Sequence, residues 1–440
     1  MEKPIIHKLY YVLIPILVIG VSLGYTTFLV SLLALVPLLL TTSRHTVAIF
    51  FVMYGGVVAG IIRATYPSVP LYGQLIEVVG LFLMWDLVID LFKEHIGALI
   101  GLILVLVFFG LFYLLGPMTP FATSKYGAMW YHGLFMLAGY YVFDRSSKID
   151  AEGLTLILMV SSMCLFAYVI HSVSMRSASL FDYDWFRQQA VMYQNMAKDS
   201  EDGLLTGYQQ IGMLSLFALA IYLSQNKLKP ILSIFYIICC TQLVLVSGCR
   251  QAILGVLLVI SLRYVVFRAD YDKKKKIPNL LIMAVGVIIT YLAIKFFLEN
   301  IQSELISNTL EEGDQARIIL YLESLSIFSD NPLMGCGLGG YNAITGEPWP
   351  HNFILELLCE TGVIGTFVAL TSLVSPLLRQ QYGLYHLTKS KQFFFLILVA
   401  IFVRVMFSGD FRISIELFSA MFAVKAANKI PAFKNILRNK

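Results

Sequence analysis

The residues Pro350, His351 and Asn352 place an imidazole directly before a long apolar stretch of the chain. Asn352 is a favourable helix N-cap and Pro350 restricts the approach of the backbone, so we expect His351 beside the first turn of a helix. The positive end of a helix dipole disfavours a protonated imidazole. His351 is therefore a candidate proton acceptor, and a purely interfacial polar role, as for Trp349 beside it, is the alternative.

Two carboxylates, Glu356 and Glu360, follow one turn apart in the same predicted helix. A buried pair of carboxylates would point to acid–base chemistry or to cation coupling. The alternative is that both face another helix and pair with an arginine such as Arg404, which lies inside a predicted apolar span.

Several arginines lie on or near one face of the predicted topology. Charged groups close to lipid are costly, which makes each of them a functional candidate, although anchoring of helix ends to headgroups is the alternative for residues such as Arg412. A guanidinium is planar and permanently charged, and it fits a phosphate or diphosphate well. The arginines of this group that we consider are Arg187, Arg250, Arg317 and Arg404.

Glycines are concentrated in NPLMGCGLGGY, residues 331–341. Glycines such as Gly337 and Gly339 let backbone N–H groups approach an anion closely, so the segment could form a cradle for a sugar or phosphate. It lacks the GK[ST] ending of a phosphate-binding nucleotide loop, which excludes a nucleotide site of that type. A tight turn is the favoured interpretation.

The composition indicates that these residues belong to a membrane protein. Of the 440 residues, 58% are hydrophobic and only 13% are charged, which excludes a soluble domain. Apolar stretches of about 20 residues recur along the chain, the length that crosses a bilayer. The sequence predicts an all-α, polytopic membrane protein with about 14 (12 to 14) transmembrane helices in a single integral membrane domain, residues 1–440. The predicted spans are roughly 9–24, 26–41, 46–64, 70–91, 96–115, 127–143, 152–173, 205–224, 229–247, 251–267, 280–298, 353–375, 392–407 and 412–426.

The positive-inside rule favours both termini in the cytoplasm, because most of the 32 lysines and arginines, including residues 273–276, then lie inside. The first 25 residues are predicted to form a transmembrane helix and show no convincing cleavage site. Two long external loops result, residues 174–204 and 299–352. Within the second, residues 315–330 are predicted to form a helix capped by Asp314 and ended by Asn331 and Pro332.

Neither metal nor nucleic acid is indicated. The six cysteines form no CxxC pair, so the sequence supports neither a disulfide framework nor a zinc site. The net charge of +5 is no argument for nucleic acid in a membrane protein, where the location of the charges matters.

These residues resemble a known family. His351 and Asn352, nine residues, Gly362, two residues and Gly365 resemble the H-[NSQ]-x9-G-x2-[GTY] signature of the bacterial O-antigen polymerase and O-antigen ligase superfamily. Arg317 at the start of a predicted helix, residues 331–333, the glycine run, and Ser247 to Arg250 with Leu254 are also similar to these families. The similarity extends over roughly residues 185–375.

The resemblance implies an integral membrane glycosyltransferase of the GT-C-like class in the bacterial inner membrane, with its active site in the periplasm. Its substrates would be glycans carried on undecaprenyl diphosphate among membrane lipids, with no cofactor and with a chain-length regulator as a conceivable partner. By analogy, Arg250 and Arg317, with Arg187, would hold the diphosphate, and His351 would be the base. Asn352, Gly337, Gly339, Glu356, Glu360 and Arg404 would bind substrate or support the site.

Polymerase and ligase differ in their acceptor. The polymerase acts on the next lipid-linked repeat unit, and the ligase on the phosphate-rich lipid A core. The loop 299–352 carries eight acidic residues against the single Arg317, and we expect it to repel a phosphorylated acceptor. The sequence therefore favours a polymerase, with a ligase as the first alternative and a flippase of lipid-linked oligosaccharides as the second. The acidic residues are Glu299, Glu304, Glu311, Glu312, Asp314, Glu323, Asp330 and Glu347.

Overall fold

The described part of the computed structural model is helical and contains no β-strand. The structure describes residues 5–22, 28–65, 73–145, 149–172, 208–224, 230–247, 249–263, 304–378, 389–407 and 411–427. Their helices are α1 (Ile5–Ser22), α2 (Phe28–Thr41), α3 (Arg44–Thr65), α4 (Gly73–Leu83), α5 (Trp85–Glu94), α6 (Ile96–Leu115), α7 (Pro120–Arg145), α8 (Ala151–Ser172), α9 (Tyr208–Ser224), α10 (Pro230–Ser247), α11 (Arg250–Ser261), α12 (Glu304–Asp330), α13 (Gly340–Thr345), α14 (Phe353–Leu378), α15 (Lys389–Phe407) and α16 (Phe411–Ala427).

The chain forms two compact units, each assembled from three stretches. The first comprises residues 1–80, 148–318 and 382–404. Helix α8 is its centre and packs against α1, α2, α3, α9 and α10. Its residues from Leu154 to Ala167 are buried on every side, as expected for a helix that is apolar all round. Ser162 joins α8 to α9 through hydrogen bonds to Ser215 Oγ (2.8 Å) and to the carbonyl oxygen of Ile211 (2.9 Å).

The second unit comprises residues 81–147, 319–381 and 405–440. Helix α16 packs along α7 and also contacts α6 and α14, while α13 packs on α14. Two polar contacts fix the α7–α16 interface: Ser419 Oγ donates to the carbonyl oxygen of Gly133 at 2.7 Å, and the Tyr140 hydroxyl donates to Glu416 Oε1 at 2.7 Å. Small and hydrogen-bonding residues at such an interface are typical of helix packing in membranes.

Helices α6 and α14 contain stretches that are long and apolar enough to cross a membrane, Ile96–Leu115 and Phe353–Val374. On α6, Leu102 and Phe109 are buried, whereas Leu104 and Leu111 on the opposite side are more than half exposed. A helix that is apolar on both its buried and its exposed faces suits contact with lipid. The predicted span 96–115 is confirmed residue for residue as α6.

The prediction of one helix over residues 70–91 is wrong. The chain forms α4 and α5 instead, separated at Met84, whose φ of −118° and ψ of 24° are not helical. The reason is that α5 carries Asp86, Asp90 and Lys93 on a strongly amphipathic helix, so it cannot continue α4 as one apolar span. The predicted span 280–298 and the first external loop, 174–204, lie outside the described residues.

From residue 304 onward, the segment predicted as the second external loop consists of α12, the glycine-containing segment 331–339, and α13. The predicted helix 315–330 begins earlier, at Glu304, so the cap assigned to Asp314 is wrong. Good helix formers before residue 315 carry the helix across Gly313 and Asp314. Its predicted end is confirmed at Asp330, directly before Asn331.

Candidate functional site

Helix α14 is interrupted at Gly362, whose φ is 62° and ψ −167°. The segment 332–337 lies against this interruption. On one side the N–H groups of Val363 and Ile364 donate to the carbonyls of Pro332 (2.8 Å) and Leu333 (3.2 Å). On the other side the N–H groups of Cys336 and Gly337 donate to the carbonyls of Cys359 (2.8 Å) and Glu360 (3.0 Å). The segment thus satisfies backbone groups that the break removes from the helical ladder, as a broken helix in lipid requires.

The glycines of segment 331–339 are required by backbone shape and by close packing. Gly337 has a φ of 83°, and a Cβ atom there would lie 2.2 Å from Gly116 Cα. A Cβ atom on Gly362 would lie 2.3 Å from the carbonyl group of Leu333. Gly339, with a φ of 79°, directly precedes α13. Because the amide of Gly337 already donates to Glu360, these contacts favour the tight turn over the anion cradle.

The two carboxylates of α14 meet Lys125 of α7, and all three side chains are fully buried. Lys125 Nζ donates to Glu356 Oε1 at 2.5 Å, and to Glu360 Oε2 at 2.8 Å and Oε1 at 3.0 Å. The ammonium also lies 5.1 Å from the ring centre of Phe411. Charges in an apolar interior are retained only when they are paired in this way. We call Lys125, Glu356 and Glu360 the buried triad.

Lys125 is not among the candidate residues predicted from the sequence, where an arginine such as Arg404 was the proposed partner of the two glutamates. The structure assigns a lysine from α7 to both. One signal was present: Lys125 lies just before the span predicted at 127–143, and α7 extends that span back to Pro120, a favourable first residue of a helix. The extension brings Lys125 into the second turn of the helix.

Asn352 caps α14 as predicted. Its Oδ1 accepts hydrogen bonds from the N–H groups of Ile354 (3.0 Å) and Leu355 (3.1 Å), and its carbonyl accepts from Glu356 (2.9 Å). His351 directly before it has a φ of 56°, the left-handed region that residues other than glycine seldom occupy. Such strained residues are concentrated at functional sites.

The imidazole of His351 is held by its neighbour Trp349. The indole N–H donates to His351 Nδ1 at 3.1 Å, and the ring centres lie 5.6 Å apart, edge to face. Both residues are half-buried. Nδ1 can accept a hydrogen bond only if it carries a lone pair, so this contact is one that the neutral form of the imidazole makes.

The end of α12 packs on this part of the structure through a small buried cluster. Ile327, Tyr341 and Cys359 form its core, with Phe328 and Cys336 packed against it. Burial and the nearby charge of Glu360 raise the pKa of the Cys336 thiol to about 12. Burial also raises the pKa of the Tyr341 hydroxyl well above its ordinary value.

Three of the candidate arginines belong to the first unit, and Arg187 lies outside the described residues. Arg250 is the first residue of α11, Arg317 is half-buried in α12 and Arg404 is half-buried in α15. Burial raises the pKa of the Cys249 thiol to about 11, and the charge of Arg404 opposes this rise. Arg404 is therefore close to the residue that precedes Arg250. The convergence of arginines on His351 of the second unit stays a prediction.

No metal site is apparent in the described ranges, where no group of three or more histidine, cysteine, aspartate or glutamate side chains is arranged to hold an ion.

Comparison with known protein families gives a match over part of the chain. Residues 234–370 match the family model described as O-antigen ligase, and this range contains Arg250, Arg317, the glycine run, His351 and Gly362. No curated protein matches the chain. Lys125, by contrast, lies outside the matched range. The resemblance predicted from the sequence is confirmed over residues 234–370, which are similar to the O-antigen polymerase and O-antigen ligase superfamily.

Proposed function

We propose that this protein is a membrane glycosyltransferase that polymerises oligosaccharide repeat units carried on undecaprenyl diphosphate. The product is O-antigen or a related surface polysaccharide. The reaction takes place on the periplasmic side of the bacterial inner membrane and uses no metal or nucleotide cofactor. The chain is GT-C-like, crosses the membrane about 14 times and has both termini in the cytoplasm.

The proposed reaction is a displacement at the anomeric carbon. The acceptor hydroxyl loses its proton to His351 as its oxygen bonds to the anomeric carbon, and the bond from that carbon to the diphosphate oxygen breaks. The electron pair leaves with the lipid diphosphate, whose charge Arg250, Arg317 and Arg187 neutralise. The simplest outcome is inversion of configuration. General base catalysis contributes about 10² to 10⁴ in rate.

One observation carries this proposal. His351 lies at the start of α14, inside the matched region, and accepts a hydrogen bond from Trp349 at Nδ1. A protonated imidazole could not accept that bond, so the residue has a nitrogen that is able to take a proton. Its left-handed backbone supports a functional role.

A polymerase is favoured over a ligase by the acidic character of residues 299–352. In the described part, Glu347 is exposed close to His351 in the chain, and Asp330 is exposed at the end of α12. Carboxylates at these positions oppose a phosphate-rich lipid A core more than a sugar chain.

The test uses the purified full-length protein in detergent or nanodiscs with lipid-linked repeat units. A ladder of chain lengths supports the polymerase, and transfer only to lipid A core identifies a ligase. Absence of both products, with movement of the lipid-linked glycan across a vesicle membrane, identifies a flippase.

His351→Ala should abolish the ladder while the protein keeps its thermal unfolding profile. Trp85→Phe provides the matched control, because Trp85 lies on the exposed surface of α5 and has no role in the proposal. A normal ladder from His351→Ala would overturn the assignment of the base.

A further inference from the structure

The hydrogen bond from Trp349 identifies which nitrogen of His351 can take a proton. A neutral imidazole has one nitrogen that carries hydrogen and one that carries a lone pair. Because Nδ1 accepts the indole N–H at 3.1 Å, the lone pair is on Nδ1 and the hydrogen is on Nε2. In this arrangement Nδ1 is the basic nitrogen.

The indole N–H occupies the position that a reacting hydroxyl needs. A general base requires its proton donor within about 2.6 to 3.2 Å of the basic nitrogen. Trp349 Nε1 lies at that distance and, like a hydroxyl, donates to Nδ1. A single lone pair accepts one good hydrogen bond. An acceptor hydroxyl therefore has to displace the indole N–H from Nδ1.

The surroundings leave room for this exchange. Trp349 is half-buried, and Gly346 and Glu347 before it are exposed. A Cβ atom added to Gly346 would meet nothing within 4 Å. The start of this loop is anchored, since the Asn342 amide donates to the carbonyls of Gly346 (3.3 Å) and Glu347 (3.2 Å). Displacement of the indole N–H from His351 would expose Nδ1 on this side of the ring.

We propose that Trp349 is a positioning residue whose indole N–H occupies Nδ1 of His351 until the acceptor binds, and that it thereby marks the subsite of the acceptor hydroxyl. The hydroxyl of the acceptor sugar replaces the indole N–H and then delivers its proton to Nδ1. This inference rests on the proposed function. After the proton transfer both ring nitrogens carry hydrogen, so the indole returns only when His351 has lost a proton.

The first test is the kinetics of Trp349→Phe, which keeps an aromatic ring and removes the N–H group. With a lipid-linked repeat unit as donor and a lipid-free oligosaccharide of the same repeat as acceptor, the two KM values are measured separately. Removal of an internal competitor should lower the acceptor KM by about two- to tenfold, the range of one net hydrogen bond. The donor KM and kcat should not worsen.

A merely structural role predicts the opposite, a lower kcat or a higher acceptor KM, and either result would overturn the inference. Trp85→Phe controls for the loss of an exposed tryptophan and should leave kcat and both KM values unchanged.

The second test needs no activity. Diethyl pyrocarbonate acylates the lone-pair nitrogen of a neutral imidazole, and the modified peptide that contains His351 is quantified by mass spectrometry. Trp349→Phe should accelerate acylation of His351 several-fold, and an unchanged rate would refute the hydrogen bond. Faster acylation together with an active His351→Ala variant would instead reject the proposed base and leave the hydrogen bond standing.

Discussion

Lys125 Nζ lies 2.8 Å from Glu360 Oε2, although 235 residues separate them in the sequence. The contact joins α7, which lies outside the region matched by the family model, to the helix that begins just after His351. The same ammonium binds Glu356 one turn earlier, so it holds the first part of α14 before the interruption at Gly362. The buried triad therefore fixes the helix that directly follows the proposed catalytic histidine.

Replacement of Lys125 by methionine should destabilise the protein strongly. The change leaves two carboxylates buried without their ammonium, and breaking a buried ion pair costs about 3 to 5 kcal/mol. Thermal unfolding of the purified protein in detergent measures the loss. The matched control is the triple variant with Lys125→Met, Glu356→Gln and Glu360→Gln, which removes the uncompensated charges and should recover most of the stability. Equal stability of Lys125→Met and the wild type would contradict the buried triad.

Gly337→Ala should be much more destabilising than Gly346→Ala. Both glycines have a positive φ, 83° and 79°, so both variants incur the backbone cost of roughly 1 to 2 kcal/mol. A Cβ atom at Gly337 also meets Gly116 Cα at 2.2 Å, whereas at Gly346 it meets nothing. The difference between the two free energies of unfolding isolates the packing contribution, which we expect at about 1 to 3 kcal/mol. Similar losses for both variants would show that the loop does not pack closely on α6.

His351→Gly should be more stable than His351→Ala, and both should be inactive. Each change removes the imidazole, but only glycine adopts the φ of 56° without strain. The expected difference is about 1 kcal/mol, measured by thermal or denaturant unfolding. A lower stability of the glycine variant would argue against the left-handed backbone at this position.

Cys336 should be nearly unreactive toward iodoacetamide at pH 8 in the folded protein. The thiolate is the reactive form, and a pKa raised from 9.0 to about 12 lowers its population by roughly two to three orders of magnitude. Alkylation of the peptide that contains Cys336, followed by mass spectrometry, gives the rate. Fast alkylation in sodium dodecyl sulfate is the internal control, and an equally fast reaction in the folded protein would refute the shift.

The raised pKa of the Cys336 thiol also predicts that the folded protein loses stability in alkaline solution. The folded state holds the protonated thiol more firmly than the unfolded chain does. The contribution of the Cys336 thiol to the free energy of unfolding is therefore fully present below about pH 9 and is lost as the pH rises toward about 12. Cys336→Ser should remove part of this dependence, whereas an unchanged pH profile would show that other groups cause it.

Local features of the site were predictable from the sequence. The cap by Asn352, the helix that follows His351 and the end of α12 at Asp330 depend on residues a few positions apart, whose preferences act without the rest of the fold. The span 96–115 was also predictable, because a continuous apolar stretch has one favourable arrangement in a membrane. The family signature was likewise recognisable from the sequence, because it is defined only by residue types and their spacing.

Contacts between distant parts of the chain were decided by the tertiary structure. The sequence offered Glu356 and Glu360 as a pair, but their partner depends on which face of α7 packs toward α14, and no local preference specifies that. The glycine run left a tight turn and an anion cradle both possible. The break at Gly362 favours the turn, because the amides of Cys336 and Gly337 donate to the carbonyls of Cys359 and Glu360. The sequence alone thus determined the membrane-protein class, the family resemblance and the candidate residues for chemistry. The partners of these residues were set by packing, because a buried charge or amide has to find a partner.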